Sequence, residues 1–412
     1  MDRAEPSPNP VKPSPNPVKP SPDPVKPSLE LLRSLTDEHV LRALMQHRRL
    51  TRAELAAETG LSKPTAGESV RRLAAAGLVA DTGERTPGGR GRGRVGSYYA
   101  LAQDIGTALA VSIAPGEVVA ERIDVYGDTV GRAEETIGRP ARPEQVTAAL
   151  EAAAARVQQD ARVAVVSAAD PVDRVTGRLI HLPDSPFLVG ELDPAQILAP
   201  YVSGPVTVDN DVNWAAQAER DHWAAYAAQA GHDQAGTAPG DDFAYLFLGE
   251  GLGCAIVSDG QVRRGHSGLA GEVAHLVTAG PGGRAAPFIE VFGQLGLRQP
   301  GSTAIDVDRL VAAVAGQAPE AAAVRHALGQ AVGGVLAAIV ALTDPRVVVI
   351  GGPWGSQPAV LRAIVTAAGR LPRPVPVRGA RLTGHPSLAG ARTDALTRLR
   401  TGIIHASAKT KI

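Results

Sequence analysis

The sequence predicts an α/β fold in two parts: a small helical module closed by a β-hairpin, and a larger domain with two similar lobes. Three observations support this prediction. The chain has 412 residues, more than one ordinary core accommodates. Three short helical patterns and two strand patterns fall within residues 36–101. From residue 102 onward, strand and helix patterns alternate, which is typical of α/β domains.

Composition limits the classes of function. The formal net charge is zero, which argues against a wholly basic nucleic-acid-binding surface but permits a local basic module. Cys254 is the single cysteine, which excludes an intrachain disulfide and a multi-cysteine metal site. The N-terminus carries prolines and lysines where a signal peptide has an apolar core, and the longest apolar stretch, 331–342, is too short to span a bilayer. We therefore expect a soluble cytoplasmic protein without membrane contact.

Residues 1–35 are predicted to form a disordered, proline-rich tail. A seven-residue unit, Pro-Ser-Pro-Asn-Pro-Val-Lys, begins at Pro6 and again at Pro13, and a variant with Asp23 begins at Pro20. Proline lacks a backbone donor and restricts φ, so the repeat favours an extended polyproline-type chain. A tether is favoured over a ligand for a proline-recognition domain.

Residues 36–101 are predicted to form a winged helix-turn-helix. Thr36 or Asp37 caps a first helix. Thr51 opens a second helix with a capping box, and Gly60 ends it. Ser62 caps a third helix, in which a proline of the first turn is tolerated. Two helices joined by so tight a turn are typical of the helix-turn-helix motif.

The third helix carries the side chains that a recognition helix needs. A helix that enters the major groove presents short polar and cationic groups near its N-terminus to base edges. Residues 36–98 hold eleven Lys or Arg against seven Asp or Glu, a net charge of +4. A protein-binding helical module is the weaker alternative. The candidate DNA-binding residues of this helix are Ser62, Lys63, Thr65, Ser69 and Arg72.

A loop rich in glycine and arginine, residues 83–96, separates strand patterns at 78–80 and 97–101. A loop in this position is a wing. We predict that three arginines of this loop, the wing arginines, contact DNA: Arg90, Arg92 and Arg94. We expect them to enter a minor groove or to pair with phosphates. A two-fold operator favours a homodimer or a higher homo-oligomer.

Residues 102–412 are predicted to form the two-lobed domain. The expected strands are 108–114, 117–125, 163–168, 206–208, 244–248, 254–257 and 346–350, and the expected helices are 144–159, 213–228 and 323–342.

Six motifs follow one another along the chain, at residues 51–65, 208–213, 249–253, 268–275, 344–352 and 389–395. Together they resemble the ROK family (repressors, open reading frames and kinases), specifically its winged-helix transcription regulators. The resemblance covers residues from about 36 to 405 and implies an actin/hexokinase-like (ribonuclease H-like) fold. It also implies a sugar-kinase-like sensor domain, whose ligand cleft lies near residues 209–213 and 249–290.

The resemblance further implies a pocket for a sugar or a sugar derivative. Carboxylates accept hydrogen bonds from hydroxyls strongly, and histidine can donate or accept them. The alternative for Glu272 and His275 is a salt-linked structural pair. The residues that match sugar-contacting positions of the family are Asn210, Asp211, Glu272, His275 and Glu290.

The phosphate-binding side departs from the kinases of the family. Residues 104–108, Asp-Ile-Gly-Thr-Ala, resemble the family's Asp-x-Gly-Gly-Thr loop without its second glycine. Glu250 stands where the family has a small hydroxyl residue, and a carboxylate repels phosphate by about 1 kcal/mol even in water. Gly351 and Gly352 remain, although a glycine pair after a strand is also an ordinary turn. We therefore expect no phosphotransfer and no cofactor, with Asp211 a vestigial catalytic residue.

Two further departures concern the sugar side. Residues 280–288 contain no cysteine where the family has the three that bind zinc, so no metal is expected. At residues 182–185 the family often has an asparagine that touches the sugar, and here either Asp184 takes that role or the ligand differs.

The leading hypothesis is a metabolite-responsive regulator that binds double-stranded DNA, with repression favoured over activation. An active sugar kinase with an accessory DNA-binding module is the first alternative. A constitutive DNA-binding or scaffolding protein with a vestigial cleft is the second.

Overall fold

A computed structural model of the protein describes residues 29–86, 96–157, 161–182, 186–187, 191–230 and 240–409. Three predicted features lie outside the described residues. They are residues 1–28 of the tail, the wing arginines and Asp184.

The N-terminal module has the predicted winged helix-turn-helix fold. Its helices are α1 (Leu29–His47), α2 (Arg52–Thr59) and α3 (Lys63–Ala75), and its strands are β1 (Arg49–Thr51), β2 (Val79–Arg85) and β3 (Ser97–Leu101). The strands form an antiparallel sheet in the order β1-β3-β2. Each helix contributes to the core through apolar side chains such as Leu44, Leu55 and Val70.

The predicted local signals around α2 and α3 are confirmed. Thr51 Oγ1 accepts a hydrogen bond from Glu54 N–H at 3.2 Å, and the Glu54 carboxylate accepts one from Thr51 N–H at 2.8 Å. Gly60 ends α2 in the left-handed conformation, with φ of 69°. Ser62 Oγ accepts a hydrogen bond from Thr65 N–H at 3.2 Å. These bonds hold the tight turn that places α3 against α2.

The start of α1 corrects the predicted tail and the predicted cap. The helix begins at Leu29, so residues 29–35 belong to it and not to the tail. Thr36 and Asp37 lie inside the helix and do not cap it. The stretch 29–33 is rich in leucine, glutamate and arginine, which are strong helix formers. Asp37 instead accepts a hydrogen bond from Ser69 Oγ of α3 at 2.5 Å.

The first lobe contains a five-stranded mixed sheet. Its strands are β4 (Thr107–Ala114), β5 (Glu117–Ile123), β6 (Thr129–Thr136), β7 (Ala161–Ala168) and β8 (Val206–Asn210), in the order β6-β5-β4-β7-β8. Strands β4, β5 and β6 are antiparallel neighbours, whereas β4, β7 and β8 run parallel. Helices α4 (Pro143–Val157) and α5 (Pro194–Leu198) belong to this lobe.

The second lobe repeats this topology. Its main sheet consists of β9 (Phe243–Leu248), β10 (Leu252–Ser258), β11 (Gln261–Val262), β14 (Val347–Gly351) and β15 (Val377–Gly379), in the order β11-β10-β9-β14-β15. Again three strands are antiparallel neighbours and two add in parallel. The repetition confirms the predicted pair of similar lobes and the actin/hexokinase-like fold. The remaining elements are α6 (Asp211–Ala230), β12 (Val277–Ala279), β13 (Ala285–Pro287), α7 (Phe288–Gln294), α8 (Val307–Val314), α9 (Pro319–Thr343), α10 (Pro358–Ala368) and α11 (Pro386–Lys409).

Helix α9 is longer than the apolar stretch at 331–342 suggested. Within the described part of the chain it is the one helix whose length and composition would allow it to cross a membrane. Its apolar side chains, including Leu328, Val332 and Leu336, are buried in the core of the second lobe. Packing inside the fold therefore accounts for its apolar composition.

Helix α11 connects the lobes to the winged module. It packs on α6, β4 and β7 and also on α1. Leu399 and Ile403 of α11 lie in the same buried cluster as Leu41 and Leu44 of α1. Arg400 adds a hydrogen bond from Nε to the Val125 carbonyl at 2.9 Å. The winged module and the first lobe thus share one hydrophobic core.

Candidate functional site

A cavity of about 320 Å³ lies between the two lobes. The first lobe lines it with the ends of β4 and β8 and with the β4–β5 turn. The second lobe contributes the β9–β10 turn and the loop 268–275. Residues 384–387, at the start of α11, line another part of the wall. Both segments that the sequence assigned to the cleft therefore contribute walls.

Asp211 lies in this cavity because the junction of β8 and α6 is held rigidly. It is the first residue of α6 and follows Asn210, the last residue of β8. The buried Asp209 carboxylate accepts hydrogen bonds from Asn210 N–H and Asn213 Nδ2, both at 2.9 Å. Arg264 of the second lobe pairs with Asp209 at 2.6 Å. The strand end and the helix start are thereby tied to the opposite lobe.

Asn210 lines the cavity, but its amide is engaged by the backbone. Its Oδ1 accepts a hydrogen bond from Val212 N–H at 3.0 Å. Its Nδ2 donates to the Ala168 and Asp170 carbonyls at 3.4 and 3.3 Å. These bonds fix the Asn210 side chain beside Asp211, and its contact with a ligand stays a prediction.

Two carboxyl groups of the cavity have raised pKa values. Burial, followed by the charges of Asp170 and Glu272, raises the pKa of Asp211 to about 7. Burial, followed by the charge of Asp170, raises the pKa of Glu272 to about 7. Each group therefore changes protonation near neutral pH, where it can accept or donate a hydrogen bond.

The loop that carries Glu272 and His275 is docked tightly on β10. Gly271 has φ of 100°, and a Cβ atom there would lie 1.7 Å from the Cys254 carbonyl oxygen. Cys254 N–H also donates to the Gly271 carbonyl at 2.9 Å. Because only glycine allows this approach, Gly271 sets the position of Glu272, and both Glu272 and His275 line the cavity.

Glu290 does not join this set. It pairs with Arg298 at 2.9 Å and its side chain is half exposed. Its neighbour Ile289 lines the cavity instead. The predicted sugar contact of Glu290 is therefore wrong, because α7 turns this side chain to the outside.

The predicted first phosphate loop is also misplaced. Residues 104–108 lie at the start of β4, where Gly106 packs on the Arg162 side chain. The opposite end of this eight-residue strand reaches the cavity, about 25 Å away. The turn in the position of a phosphate loop is Ala114-Pro115-Gly116, and Pro115 offers no N–H to a phosphate.

The other two phosphate-side features lie near the cavity. Glu250, in the β9–β10 turn, lines it and pairs with Arg139 of the first lobe at 2.7 Å. Arg139 thus compensates its charge. Gly351 and Gly352 pack against Tyr245 and the Leu248 backbone, as in an ordinary structural turn.

The described residues contain no group of three or more His, Cys, Asp or Glu side chains that could hold a metal ion. Cys254 is buried, and burial raises the pKa of its thiol to about 12. It behaves as a small apolar residue of the cavity wall.

In the winged module, the N-terminal end of α3 faces outward. Ser62 and Lys63 are exposed and Thr65 is partly exposed. Arg71, which the sequence analysis missed, is also exposed and pairs with Glu68 one turn earlier. Its spacing from the buried Val70 and Leu73 would have shown that it lies on the outer side of the helix.

The burial of Ser69 contradicts its predicted contact with DNA, and Arg72 is engaged within the module. Ser69 is fully buried and donates to Asp37 Oδ1. Arg72 pairs with the same carboxylate at 2.5 Å. Both side chains hold α3 against α1, which leaves the preceding turn of α3 to the solvent.

Sequence reasoning also missed His385 in the cavity wall. The closing helix was recognised from residues 389–395, but α11 begins at Pro386, and residues 384–387 line the cavity. The proline after His385 was the available signal, because proline is common in the first turn of a helix.

Comparison with known proteins agrees with this architecture. The ROK family model matches residues 128–391, and a winged helix-turn-helix DNA-binding model matches residues 33–80. The bifunctional enzymes NanE/NanK of Brucella suis biovar 1 and Brucella melitensis biotype 1 are each 29% identical over 147 residues, 35% of this chain. The chain spans only 28% of the length of these relatives.

Several solved structures share the fold. A ROK family transcriptional regulator, a homologue of the E. coli MLC protein, has a TM-score of 0.60 at 19% identity and covers 92% of this chain and 99% of its own. A ROK hexokinase from Thermus thermophilus has a TM-score of 0.52 at 24% identity, covering 72% and 100%. A ROK family glucokinase from Streptomyces griseus, in complex with glucose and AMPPNP, has a TM-score of 0.51 at 23% identity, covering 71% and 100%.

The family match extends from β6 of the first lobe, through the cavity and the whole second lobe, into α11. This chain therefore belongs to the ROK family.

Proposed function

We propose that this chain is a transcription regulator that binds double-stranded DNA and responds to a sugar or sugar-like metabolite without phosphotransfer. The observation that carries the proposal is the path of α11. This helix begins at the cavity and packs, further along, on α1 of a module whose recognition helix is exposed.

The proposed DNA-binding surface is the N-terminal end of α3. Ser62, Lys63 and Thr65 offer hydroxyl and ammonium groups to base edges and phosphates. The wing arginines add contacts to phosphates or the minor groove. A homodimer or higher homo-oligomer would present two recognition helices to a two-fold operator, in the cytoplasm where the chromosome lies.

The proposed effector site is the cavity, whose size lies within the range of small-molecule sites. Asp211, Glu272 and His275 supply the polar groups for sugar hydroxyls. Apolar side chains, including Phe187 and Ile289, form part of the wall around them.

The proposed coupling runs through α11. A ligand shifts DNA affinity only as far as it binds two arrangements of the protein differently. Residues 384–387 line the cavity, so closure on a ligand moves the start of α11. Because α11 shares a core with α1, the same movement changes the placement of the winged module. Release of DNA on effector binding, as in a repressor, is the favoured outcome.

The test uses the full chain at physiological salt. Selection from a random double-stranded DNA library should enrich a defined site, and a panel of hexoses and amino sugars should release it, measured by fluorescence anisotropy. Lys63→Ala should weaken the DNA complex, whereas Glu272→Gln should retain the complex and lose its release by sugar. If no sequence is enriched, the proposed function is wrong.

A sugar kinase is the second candidate, and Asp211 is the observation that favours it. A carboxylate with a pKa of about 7 in the cavity suits a general base that takes a proton from a sugar hydroxyl. Pro115 and Glu250, on the phosphate side, oppose this candidate. ATP turnover with the same sugar panel, lost in Asp211→Asn, would establish the kinase, and we expect no turnover.

A further inference from the structure

Two turns face each other across the cleft, and one arginine connects them. The β4–β5 turn belongs to the first lobe and the β9–β10 turn to the second. Arg139, between β6 and α4, donates from Nη2 to the Pro115 carbonyl at 2.8 Å. Its Nη1 pairs with Glu250 Oε1 at 2.7 Å. Pro115 and Glu250 both line the main cavity and an adjoining cavity of about 140 Å³, which Arg139 also lines.

The guanidinium fits closely against the first turn. Gly116 has φ of 86°, and a Cβ atom at this position would lie 2.5 Å from Arg139 Nε. Glycine suits this position because side chains rarely adopt its positive φ, and the guanidinium occupies the space where a Cβ atom would lie. The Pro115 carbonyl and the Glu250 carboxylate hold Arg139 over the turn, and about half of its side chain remains exposed.

A guanidinium held between two converging turns is a good site for an anion. In this chain the anion is part of the protein, because the Glu250 carboxylate occupies the position beside Arg139. Asp211 and Glu272 in the main cavity, when ionised, and Asp170 in the adjoining one add negative potential. A phosphate that enters beside Arg139 would have to displace Glu250.

We propose that Glu250 is a specificity residue that acts as a built-in anion: it occupies the phosphate position beside Arg139, so the cavity takes an unphosphorylated effector. Ligands that carry a phosphate at this position, nucleotides included, are rejected. The choice of effector rests on the proposed function, whereas the occupied anion position stands on the geometry alone.

Pyrophosphate binding to the full chain, measured by titration calorimetry, tests the proposal. Four proteins are compared: wild type, Glu250→Gln, the double variant Arg139→Gln/Glu250→Gln, and Glu135→Gln as a control. Glu135 pairs with Arg156 at 2.6 Å, with side-chain exposures of 28% and 60%. The Glu250–Arg139 pair has 23% and 55%, so the control frees an equally exposed arginine away from the cavity.

We expect Glu250→Gln to bind pyrophosphate at least about tenfold more tightly than wild type or Glu135→Gln, as befits a freed charge-assisted contact. The double variant should lose this gain. The proposal is overturned if Glu250→Gln shows no gain, or if the double variant keeps it. Thermal unfolding checks that each variant is folded, and Glu250→Thr serves as the second variant.

This experiment uses neither sugar nor DNA. If wild type fails to release DNA with any unphosphorylated sugar, the proposed function fails while the calorimetric result stands. If the Glu250 variants do not bind pyrophosphate, the proposal for Glu250 is wrong and the proposed regulatory function is unaffected.

Discussion

Replacing Asp211 with asparagine should stabilise the folded protein at pH 8 more than at pH 5. Burial and the charges of Asp170 and Glu272 raise the pKa of Asp211 from 3.8 to about 7. The pKa of this carboxyl group is higher in the folded chain than in the unfolded chain, so its protonated form contributes to folding stability. This contribution is complete below pH 3.8. That contribution is lost as the pH rises through 7, because the folded site must then hold an ionised carboxylate. Asparagine avoids this ionisation.

The magnitude follows from the pKa values of 3.8 and about 7. The difference of roughly three units corresponds to at most about 4 kcal/mol, at about 1.36 kcal/mol per unit. Roughly one of these units of stability is already lost at pH 5, so at most about 3 kcal/mol of unfolding free energy is lost between pH 5 and pH 8. Asp211 is partly exposed to the cavity, and solvent screening reduces the expected gain to about 1–2 kcal/mol.

The assay compares urea-unfolding midpoints of wild type and Asp211→Asn at both pH values. Asp81→Asn is the control, because a hydrogen bond from Gly83 N–H lowers the pKa of this exposed carboxyl group. Its contribution to stability is present above pH 3.8 and lost below, so the effect of Asp81→Asn should be equal at pH 5 and pH 8. A gain for Asp211→Asn that is the same at both pH values, or a loss at pH 8, would refute the reasoning.

Three further predictions separate structural from DNA-contacting and coupling residues. Lys63→Ala should weaken DNA binding and lower the slope of log binding constant against log salt concentration by about 1, with an unchanged melting temperature. Arg72→Ala should instead lower the melting temperature, because it breaks the pairing with Asp37. The reverse pattern would return Arg72 to the DNA interface. Replacing the wing arginines with alanine should weaken binding to all sequences and flatten its salt dependence, and an unchanged slope in anisotropy titrations would place the loop off the DNA. Leu399→Ala, which removes a buried side chain from the core shared by α11 and α1, should cost about 2–5 kcal/mol in urea unfolding and reduce DNA release by the effector; full release would exclude α11 as the coupling element.

The outcome of each sequence prediction depended on how many residues along the chain separate the interacting groups. The capping box of Thr51 and Glu54 spans three residues, so its geometry is settled within one helical turn. The cap at Thr36 or Asp37 had the same local plausibility and was wrong. Asp37 is hydrogen-bonded to Ser69, 32 residues away, and no local signal reveals this partner.

The cavity likewise contains residues that sequence motifs identified, whereas the topology decided where other predicted residues lie. The motifs that include Asp211, Glu272 and His275 were recognised from the sequence, and the structure brings all three residues to one cavity. The Asp-Ile-Gly-Thr-Ala segment looked like a phosphate loop, but the topology puts it at the far end of β4. Glu290 directly follows Ile289, which lines the cavity, yet α7 turns the Glu290 side chain to the surface.

The sequence by itself determined the helix starts at Thr51 and Ser62, the alternation of strands and helices, and the family of the two-lobed domain. These depend on contacts within a turn or on motifs read in order. Only the tertiary structure decided that Arg139 meets Glu250, 111 residues along the chain, and that Arg72 supports α1. Such pairs form when distant segments pack together, and side-chain chemistry alone does not specify which of many cations and carboxylates will meet.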